Sequence, residues 1–362
     1  MNSSLGRRRN SHSGSMHLPM VSLCLRPGAG AGQTRKQTLM SSVINGVTAS
    51  AQKTTDLNAP EPISPFDLGA WSAGQLAAIE QALSRWVASP IDAPAPAGLG
   101  DAMRYAVLDG GKRLRPLLVM AACDAVNGDA MVALRPACAV ELIHAYSLVH
   151  DDMPCMDNDV LRRGKPTVHV QFGEARALLA GDALQALAFE LLTPDDALVE
   201  FGTQARLCRL LAQAAGYQGM AGGQAIDLAS VGLPLTSAQL HQMHRLKTGA
   251  LLQASVMMGA TCGSASPAAL HALCDYGAAV GLAFQVVDDI LDVTADAATL
   301  GKTAGKDAAQ DEPTFVSLMG LGASRAYAQK LLAQAQASLD ASQLENTHAL
   351  RALADMLVNR QH

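Results

Sequence analysis

The stretch LVHDDMPCMDND at residues 148–159 ends an apolar helical segment with a cluster of carboxylates. Asp151, Asp152 and Asp157 carry that cluster. Pro154 removes a backbone donor and disfavours further helix, so a turn is needed to bring Asp157 back to the helix end. On its own, the stretch leaves open a solvated acidic loop, which is a common structure. Such loops rarely follow so apolar a helix, and the stretch therefore indicates carboxylates gathered at one helix end.

A second acidic stretch, FQVVDDILD at residues 284–292, decides between these interpretations. Asp288 and Asp292 are four residues apart and share one face of an apolar helix, and Asp289 lies one residue round. Three carboxylates within one turn repel one another and favour protonation unless cations neutralise them. Mg²⁺ is the natural cation because it takes oxygen ligands and shares substrate phosphates. Two such clusters across a cavity would hold a diphosphate through bridging metal ions.

A basic turn, GGKRLRP at residues 110–116, joins two predicted helices. Its glycines let the backbone approach a ligand, and Lys112 and Arg115 supply a point charge and a bidentate fork for a phosphate. Further candidate polar residues lie near the acidic stretches or within apolar helices: His144, Arg162, Arg163, Lys247 and Thr248. Acidic clusters and cationic sites in one apolar helical cage predict a pocket for two polyphosphates with hydrocarbon tails.

Composition limits the classes of function. The chain has 362 residues, of which 49% are hydrophobic and 16% charged, which is enough for a large buried core. The net charge of −5 and the absence of a long basic run argue against a nucleic-acid partner. The seven cysteines are scattered without zinc-ligand spacing, which favours a reducing compartment. No stretch approaches about 18 uninterrupted apolar residues, so no membrane span is predicted.

Ala, Leu, Gln and Met dominate from residue 66 onward and strict alternation is absent, which predicts an all-α fold without strands. The predicted helices span residues 71–88, 99–108, 115–126, 130–152, 171–192, 196–215, 218–229, 236–260, 266–292, 313–338 and 344–360. We expect a single large bundle of about ten helices around a central cavity.

The N-terminal segment differs in composition from the rest of the chain. Residues 1–55 contain no Asp or Glu and are rich in Arg, Ser, Thr and Gly. This composition is compatible with an organellar transit peptide, a disordered tail or a start codon assigned too early. The absence of a clear amphipathic helix favours the last two. Three prolines punctuate the following linker, so we predict an extension at residues 1–65 and a folded domain at 66–362.

Seven motifs together resemble those of the trans-isoprenyl diphosphate synthases, most closely the bacterial farnesyl diphosphate synthases (geranyltranstransferases). The motifs are GGKRLRP (110–116), LVHDDMPCMDND (148–159), LRRGKPT (161–167), GDAL (181–184), GGQAIDL (222–228), KTG (247–249) and FQVVDDILDVTAD (284–296). The DDxxxxD spacing resembles the bacterial farnesyl and the plant-type geranylgeranyl synthases. The resemblance implies the isoprenoid synthase fold and a homodimer. We expect a cytoplasmic enzyme, or an organellar one if the extension is a transit peptide.

The resemblance also implies roles for residues of this chain. The ligands of three Mg²⁺ ions would be Asp151, Asp152, Asp157, Asp288, Asp289 and Asp292. The allylic diphosphate would contact Arg162, Lys247 and Lys302, and the isopentenyl diphosphate would contact Lys112, Arg115, His144 and Arg163. Thr248 and Gln285 would place oxygens near the developing carbocation, and Gln224 and Asp227 would line the cavity. The catalytic group would comprise Lys247, Thr248, Gln285, Asp151 and Asp288.

The implied reaction adds isopentenyl diphosphate to dimethylallyl or geranyl diphosphate through an allylic carbocation, with proton loss to the released pyrophosphate. Tyr146 lies five residues before Asp151, about 7.5 Å along the helix, and is either a floor for the growing tail or a core aromatic. As a floor it predicts farnesyl diphosphate. The alternatives are a geranylgeranyl diphosphate synthase, a class I terpene cyclase and a non-catalytic subunit with this fold.

The chain departs from the family pattern at residues 311–314, which read DEPT where the family carries a Lys before the Thr. Glu312 would repel a diphosphate there. Either Lys306 compensates for it, or the loop closes less tightly on the diphosphate.

Overall fold

Helices account for most of the residues that the structure describes. This computed structural model describes residues 66–88, 96–108, 110–196, 198–233, 235–294 and 314–360. The α-helices are α1 Leu68–Trp86, α2 Leu99–Val107, α3 Leu114–Ala125, α4 Ala130–Asp151, α5 Val168–Phe172, α6 Glu174–Leu192, α7 Phe201–Ala215, α8 Met220–Ser230, α9 Ser237–His244, α10 Ala250–Ala260, α11 Pro267–Thr294, α12 Phe315–Met319, α13 Leu321–Ser342 and α14 His348–Val358. A short 3₁₀ helix, Pro96–Gly98, precedes α2. The predicted all-α fold is confirmed.

Two helices that the sequence predicts as continuous are each broken by a glycine. The helix predicted at 171–192 becomes α5 and α6, which meet at Gly173, and the one predicted at 313–338 becomes α12 and α13, which meet at Gly320. The two glycines have φ values of 87° and 82°, which residues with a Cβ rarely adopt. Such breaks explain why the described part of the chain contains more than the ten or so helices expected.

A short hairpin corrects the prediction that strands are not needed. Strand β1, Leu161–Arg162, pairs antiparallel with β2, Lys165–Pro166. Arg163 and Gly164 form the turn between them with φ values of 52° and 77°. With two residues in each strand, the hairpin is too short to produce an alternating pattern in the sequence.

The helix predicted at 236–260 contains a π turn. A capping box at Thr236 starts α9, the π turn occupies Arg245–Gly249, and α10 continues from it. Single π turns within helices occur frequently at functional sites because they redirect side chains. This one carries Lys247 and Thr248.

Two long apolar helices lie at the centre of the core. Helix α4 packs against α3 and α6, and α11 packs against α10 and α13. By length and composition alone both are able to cross a membrane, but more than half of each apolar segment is buried inside the protein. Burial in the core therefore accounts for their composition. Each helix carries one acidic stretch in or next to its last turns, so the core positions both clusters.

Candidate active site

The first acidic cluster forms at the end of α4. Asp151 is the last residue of the helix and Asp152 is its C-cap. The Asp157 N–H donates to the Asp151 carbonyl oxygen at 2.8 Å, so the turn after Pro154 folds back on the helix end. Burial raises the pKa of Asp151 to about 6, an effect that Lys247 opposes and Asp157 reinforces. An added cation would stabilise the ionised form of this buried carboxylate.

Asp152 is bound to Arg162 of the hairpin. The Arg162 Nε lies 2.9 Å from both carboxylate oxygens, and Nη2 lies 2.5 Å from one of them. Asp152 is only 2% exposed. The sequence suggested Asp152 as a magnesium ligand beside Asp151, but here its carboxylate holds Arg162 at the end of α4. The adjacent residues Asp151 and Asp152 therefore have carboxylates in different surroundings.

Arg163 connects the hairpin to the basic turn. Its Nη1 donates to the Gly110 carbonyl oxygen at 2.7 Å. A Cβ on Gly111 would lie 2.9 Å from that nitrogen, so a glycine is needed for this approach. Burial lowers the pKa of His144 well below its usual value, and Arg115 and Arg163 lower it further. His144 is therefore a neutral imidazole beside guanidinium groups, with one nitrogen that accepts and one that donates.

Arg113 of the basic turn points into the core. Its guanidinium donates to Glu80 and Glu141, each at 2.7 Å, and its side chain is 2% exposed. Lys112 and Arg115 flank Arg113 in the sequence and are the predicted phosphate contacts of this turn. This role of Arg113 was not predicted from the sequence, although an acid such as Glu141 within the apolar α4 is a signal of a buried cationic partner.

Replacing Arg113 with Met is expected to lower the free energy of unfolding by about 3–5 kcal/mol, because Glu141 stays buried without its partner. The matched control is Asp340→Ala, which breaks the more exposed ion pair with Arg351 and should cost at most about 1 kcal/mol. Urea unfolding of both variants measures the difference. Similar losses in the two variants would contradict a stabilising role for the buried pair.

The π turn holds Lys247 against α8. Lys247 Nζ donates to the Asp227 carboxylate. Burial lowers the pKa of Lys247, but Asp227 and Asp151 outweigh burial and the pKa is raised overall, so the ammonium stays charged. A Cβ on Gly223 would lie 2.5 Å from the Lys247 Cα, so α8 packs directly on the backbone of the π turn.

A chain of hydrogen bonds links the π turn to α11. Thr248 Oγ1 donates to Gln285 Oε1 at 3.1 Å, and Gln285 Nε2 donates to Asp289 Oδ1 at 2.9 Å. The backbone N–H of Phe315 donates to Asp289 Oδ2 at 2.8 Å. The structure thus brings together the predicted pair Thr248 and Gln285. It also gives Asp289, predicted as a supporting magnesium ligand, two hydrogen-bonded protein partners.

Asp288 binds a cation that the sequence analysis did not identify. Arg360 donates to the Asp288 carboxylate and to the Phe284 carbonyl oxygen (3.3 Å), and its guanidinium lies 4.5 Å from the Phe284 ring centre. Burial lowers the pKa of Lys112, Arg360 lowers it further, and Asp288 opposes them, so these three charges are neighbours. No local pattern indicates Arg360, because the packing of α14 on α11 positions it.

Several other predicted residues have distinct surroundings. Lys302, Lys306 and Glu312 lie outside the described residues. Asp292 is 3% exposed. The side-chain amide of Gln224 is buried and no described residue hydrogen-bonds it, which suits a polar group of a ligand.

The acidic groups fit magnesium that is shared with a substrate. Among the residues that the structure describes, no three His, Cys, Asp or Glu side chains are grouped closely enough to hold an ion. The donors present are hard carboxylate oxygens, and Asp288 already binds a cationic guanidinium. Mg²⁺ usually keeps waters and takes further oxygens from substrate phosphates. Asp151, Asp157 and Asp288 are therefore the residues suited to hold it.

Sequence and fold both match known proteins. The family model described as Polyprenyl synthetase matches residues 96–353. A "Probable farnesyl diphosphate synthase" from Sinorhizobium fredii is 51% identical over 269 residues, which cover 73% of this chain and 80% of that protein. The chloroplastic heterodimeric geranylgeranyl pyrophosphate synthase large subunit 1 of Arabidopsis thaliana is 43% identical over 333 residues, which cover 90% and 88%.

A solved structure extends the match to the fold. The crystal structure of an FPP/GFPP synthase from Zymomonas mobilis matches with a TM-score of 0.71 and 42% identity, covering 80% of this chain and 98% of that one. The predicted isoprenoid synthase fold is confirmed.

Proposed function

This chain belongs to the polyprenyl synthetase family of trans-prenyltransferases, and from that membership we propose that it makes farnesyl diphosphate by adding isopentenyl diphosphate to dimethylallyl and geranyl diphosphates. The observation that carries the proposal is a closed ring of charged and polar groups. On one side, the negative charge of Asp151 raises the pKa of Lys247. The neighbouring Thr248 bonds to Gln285, which lies three residues before Asp288 on α11.

The other side of the ring returns from Asp288 to Asp151. Burial lowers the pKa of Arg115 and the nearby charge of Asp288 opposes this shift, so the two groups are neighbours. The positive charges of Arg115 and Arg162 in turn both lower the pKa of His144. Arg162 binds the residue that follows Asp151, which closes the ring. Cationic, acidic and neutral polar groups thus lie around one site, as two diphosphates bound together would require.

The two diphosphates are proposed to bind at different parts of this ring. The proposed contacts are Arg162, Lys247 and Lys302 for the allylic diphosphate, and Lys112, Arg115, His144 and Arg163 for the isopentenyl diphosphate. The Arg side chains provide bidentate hydrogen bonds to phosphate oxygens, and the Lys side chains provide point charges. In our proposal this arrangement orients the isopentenyl double bond toward the carbon that ionises.

Carbocation formation is proposed to depend on both carboxylate and neutral groups. Magnesium bound to Asp151, Asp157 and Asp288 would neutralise the charge that develops on the departing pyrophosphate. Thr248 and Gln285 present oxygen dipoles to the allylic cation, and dipoles fixed before the reaction need no reorganisation. The isopentenyl double bond is the nucleophile, and the proton lost after carbon–carbon bond formation passes to the released pyrophosphate, so neither a protein nucleophile nor a protein base is needed.

Tyr146 supports a fifteen-carbon product. The residue is half-buried on α4, and its ring centre lies 5.6 Å from the ring of His150. Burial raises the pKa of Tyr146 and Asp151 raises it further, so the phenol stays neutral next to the acidic cluster. A ring at this position would block a longer tail. Geranylgeranyl diphosphate is the alternative product, because the relatives include synthases of both names.

Tyr146→Ala is expected to shift the product from farnesyl toward geranylgeranyl diphosphate, because it removes the ring that limits the tail. Chromatography of the dephosphorylated products from labelled isopentenyl diphosphate measures the shift. Tyr146→Phe, which keeps the ring, is the control and should retain the fifteen-carbon product. An active Tyr146→Ala enzyme that still stops at fifteen carbons would refute Tyr146 as the floor.

The proposed reaction is tested by incubating the purified protein with isopentenyl and dimethylallyl diphosphates, with and without Mg²⁺. A magnesium-dependent fifteen-carbon diphosphate is the expected product. Cyclised hydrocarbons from an allylic diphosphate alone would identify a terpene cyclase. No turnover of any allylic diphosphate would favour a non-catalytic subunit.

We also propose that the chain forms a homodimer. Large hydrophobic side chains on and around α5, α6 and α7 are exposed in the single chain, which supports their burial against a second copy. They are Val170, Leu178, Leu179, Leu198 and Phe201. Light scattering after size exclusion should therefore give twice the 37.6 kDa chain mass. A species of single mass at micromolar concentration would contradict the dimer.

A cytoplasmic location is proposed for the enzyme, with residues 1–65 as an extension that the catalytic domain, 66–362, does not need. The described cysteines are all unpaired, which supports a reducing compartment. Fractionation of cells that produce the tagged full chain tests the location. Recovery in an organelle with the extension removed would favour the transit peptide instead.

A further inference from the structure

Asp289 is buried behind the acidic face of α11, and both of its oxygens accept hydrogen bonds. Oδ1 accepts from Gln285 Nε2 at 2.9 Å, and Oδ2 accepts from the Phe315 N–H at 2.8 Å. Asp289 is 2% exposed, whereas the Asp288 side chain is 38% exposed. Adjacent residues of an α-helix point about 100° apart. The two neighbouring carboxylates therefore lie in different surroundings.

The bond to Asp289 determines which way the Gln285 amide points. An ionised carboxylate only accepts hydrogen bonds, so the NH₂ group of Gln285 faces Asp289. Oε1 then faces Thr248, whose hydroxyl donates to it at 3.1 Å. With its hydrogen directed at Gln285, the Thr248 oxygen offers only lone pairs to its remaining neighbours. Lone pairs are what a cation attracts.

We propose that Asp289 is a positioning residue and not a magnesium ligand: it fixes the Gln285 amide and thereby turns the Thr248 lone pairs toward the developing allylic cation. This inference rests on the proposed prenyl transfer. To reach a magnesium ion, the Asp289 carboxylate would have to abandon the partly buried Gln285 amide and the buried Phe315 N–H, and the latter would then lose its partner away from water. The Asp288 carboxylate binds Arg360 through one oxygen, but its side chain is 38% exposed, so a magnesium ion can reach it from the solvent side.

The bond to Phe315 ties the same carboxylate to a distant part of the chain. Phe315 is the first residue of α12, and its side chain is fully buried. Its N–H is one of the donors that a helix leaves without a partner inside its own first turn. Asp289 therefore stabilises the start of α12 and the Gln285 amide at once, which holds its carboxylate in one orientation.

The first test compares Asp289→Asn with Asp288→Asn in the full-length protein, using the rise in melting temperature that Mg²⁺ and inorganic pyrophosphate produce. Asp289→Asn should need a Mg²⁺ concentration within about twofold of the unaltered protein, while its kcat falls about ten- to a hundredfold at little change in KM. Asp288→Asn should need at least about tenfold more Mg²⁺. An equal rise in the Mg²⁺ requirement of Asp289→Asn would overturn the proposal.

A second test examines the hydrogen-bond chain itself. Gln285→Glu places two carboxylates side by side and should lower the melting temperature. Adding Asp289→Asn restores a donor between the two positions and should recover part of that loss, and absence of recovery would overturn the chain. In kcat, Gln285→Ala combined with Asp289→Asn should be no worse than Gln285→Ala alone, whereas additive losses would show that Asp289 does not act through Gln285.

The melting comparison is independent of the reaction, which separates the two hypotheses. Absence of prenyl product from the unaltered enzyme counts against the proposed function. Failure of the recovery in the Gln285 and Asp289 double variant counts against the positioning role, whatever the reaction is.

Discussion

Replacing Asp288 or Asp151 with Asn is expected to lower kcat about a hundred- to a thousandfold while the variants stay folded. In the proposed mechanism each carboxylate supplies an anionic oxygen to magnesium, and a neutral amide oxygen is a much poorer ligand for this hard ion. Losing several kcal/mol of transition-state stabilisation corresponds to a rate factor of this size. Turnover is measured with labelled isopentenyl diphosphate over a range of Mg²⁺ concentrations.

The control for Asp288 is Asp275→Asn, on the same helix, where an exposed side chain pairs with His271. It should leave kcat unchanged. For Asp151 the stability of the metal-free protein provides a second check. Because burial raises the pKa of Asp151 to about 6, the ionised carboxylate destabilises the fold at pH 7, and this loss shrinks as the pH falls below 6 and vanishes below about pH 4. Asp151→Asn should therefore melt no lower than the unaltered protein at pH 7.

Near-normal turnover in both variants would refute the assignment of these carboxylates to magnesium. A large fall in turnover together with a lower melting temperature would instead indicate a structural role. The combination of low turnover and unchanged melting is what a lost metal ligand predicts.

The parts of the site that sequence predicts well are those whose spacing is local. Asp288 and Asp292 are one helical turn apart, and Pro154 forces the turn that returns Asp157 to Asp151. Long apolar helices are equally visible, because their composition excludes alternating strands. These features need no knowledge of which distant residue packs nearby.

Side-chain direction is harder to predict because distant partners decide it. Asp152 and Asp289 each follow an aspartate that suits a metal ion, yet Arg162 holds one and Gln285 holds the other. From the sequence alone, Asp151 with Asp152, and Asp288 with Asp289, each look like one acidic cluster. Helical geometry alone separates neighbours by about 100°, so only one of each pair was to be expected on the ligand face.

Two features had no sequence signal of their own. Arg360 reaches Asp288 only because α14 packs on α11, a contact between segments that are about 70 residues apart. The π turn at Arg245–Gly249 interrupts a pattern that favours one continuous helix. At Gly223, helix α8 packs directly on the backbone of this π turn.

Gly223→Ala is expected to lower kcat about a hundredfold, because the added methyl group would overlap the backbone of the π turn. The new Cβ would lie 2.5 Å from the Lys247 Cα and 2.8 Å from the Leu246 carbonyl carbon. Backbone atoms cannot swing aside as a side-chain end can, so α8 and the π turn must separate. A displacement of about 1 Å in groups that position a substrate is enough to cost a hundredfold in rate. Overpacking should also lower the stability by about 1–3 kcal/mol.

The matched control is Gly202→Ala on α7, where a Cβ would meet nothing within 4 Å. It should leave kcat unchanged and raise the stability by up to about 1 kcal/mol, since alanine favours helix over glycine. Steady-state kinetics and urea unfolding of both variants distinguish a local clash from a general effect of removing a helical glycine. If Gly223→Ala turns over normally, the position of Lys247 does not depend on the close approach of α8. If both variants lose activity alike, the cause is not the overlap with the π turn.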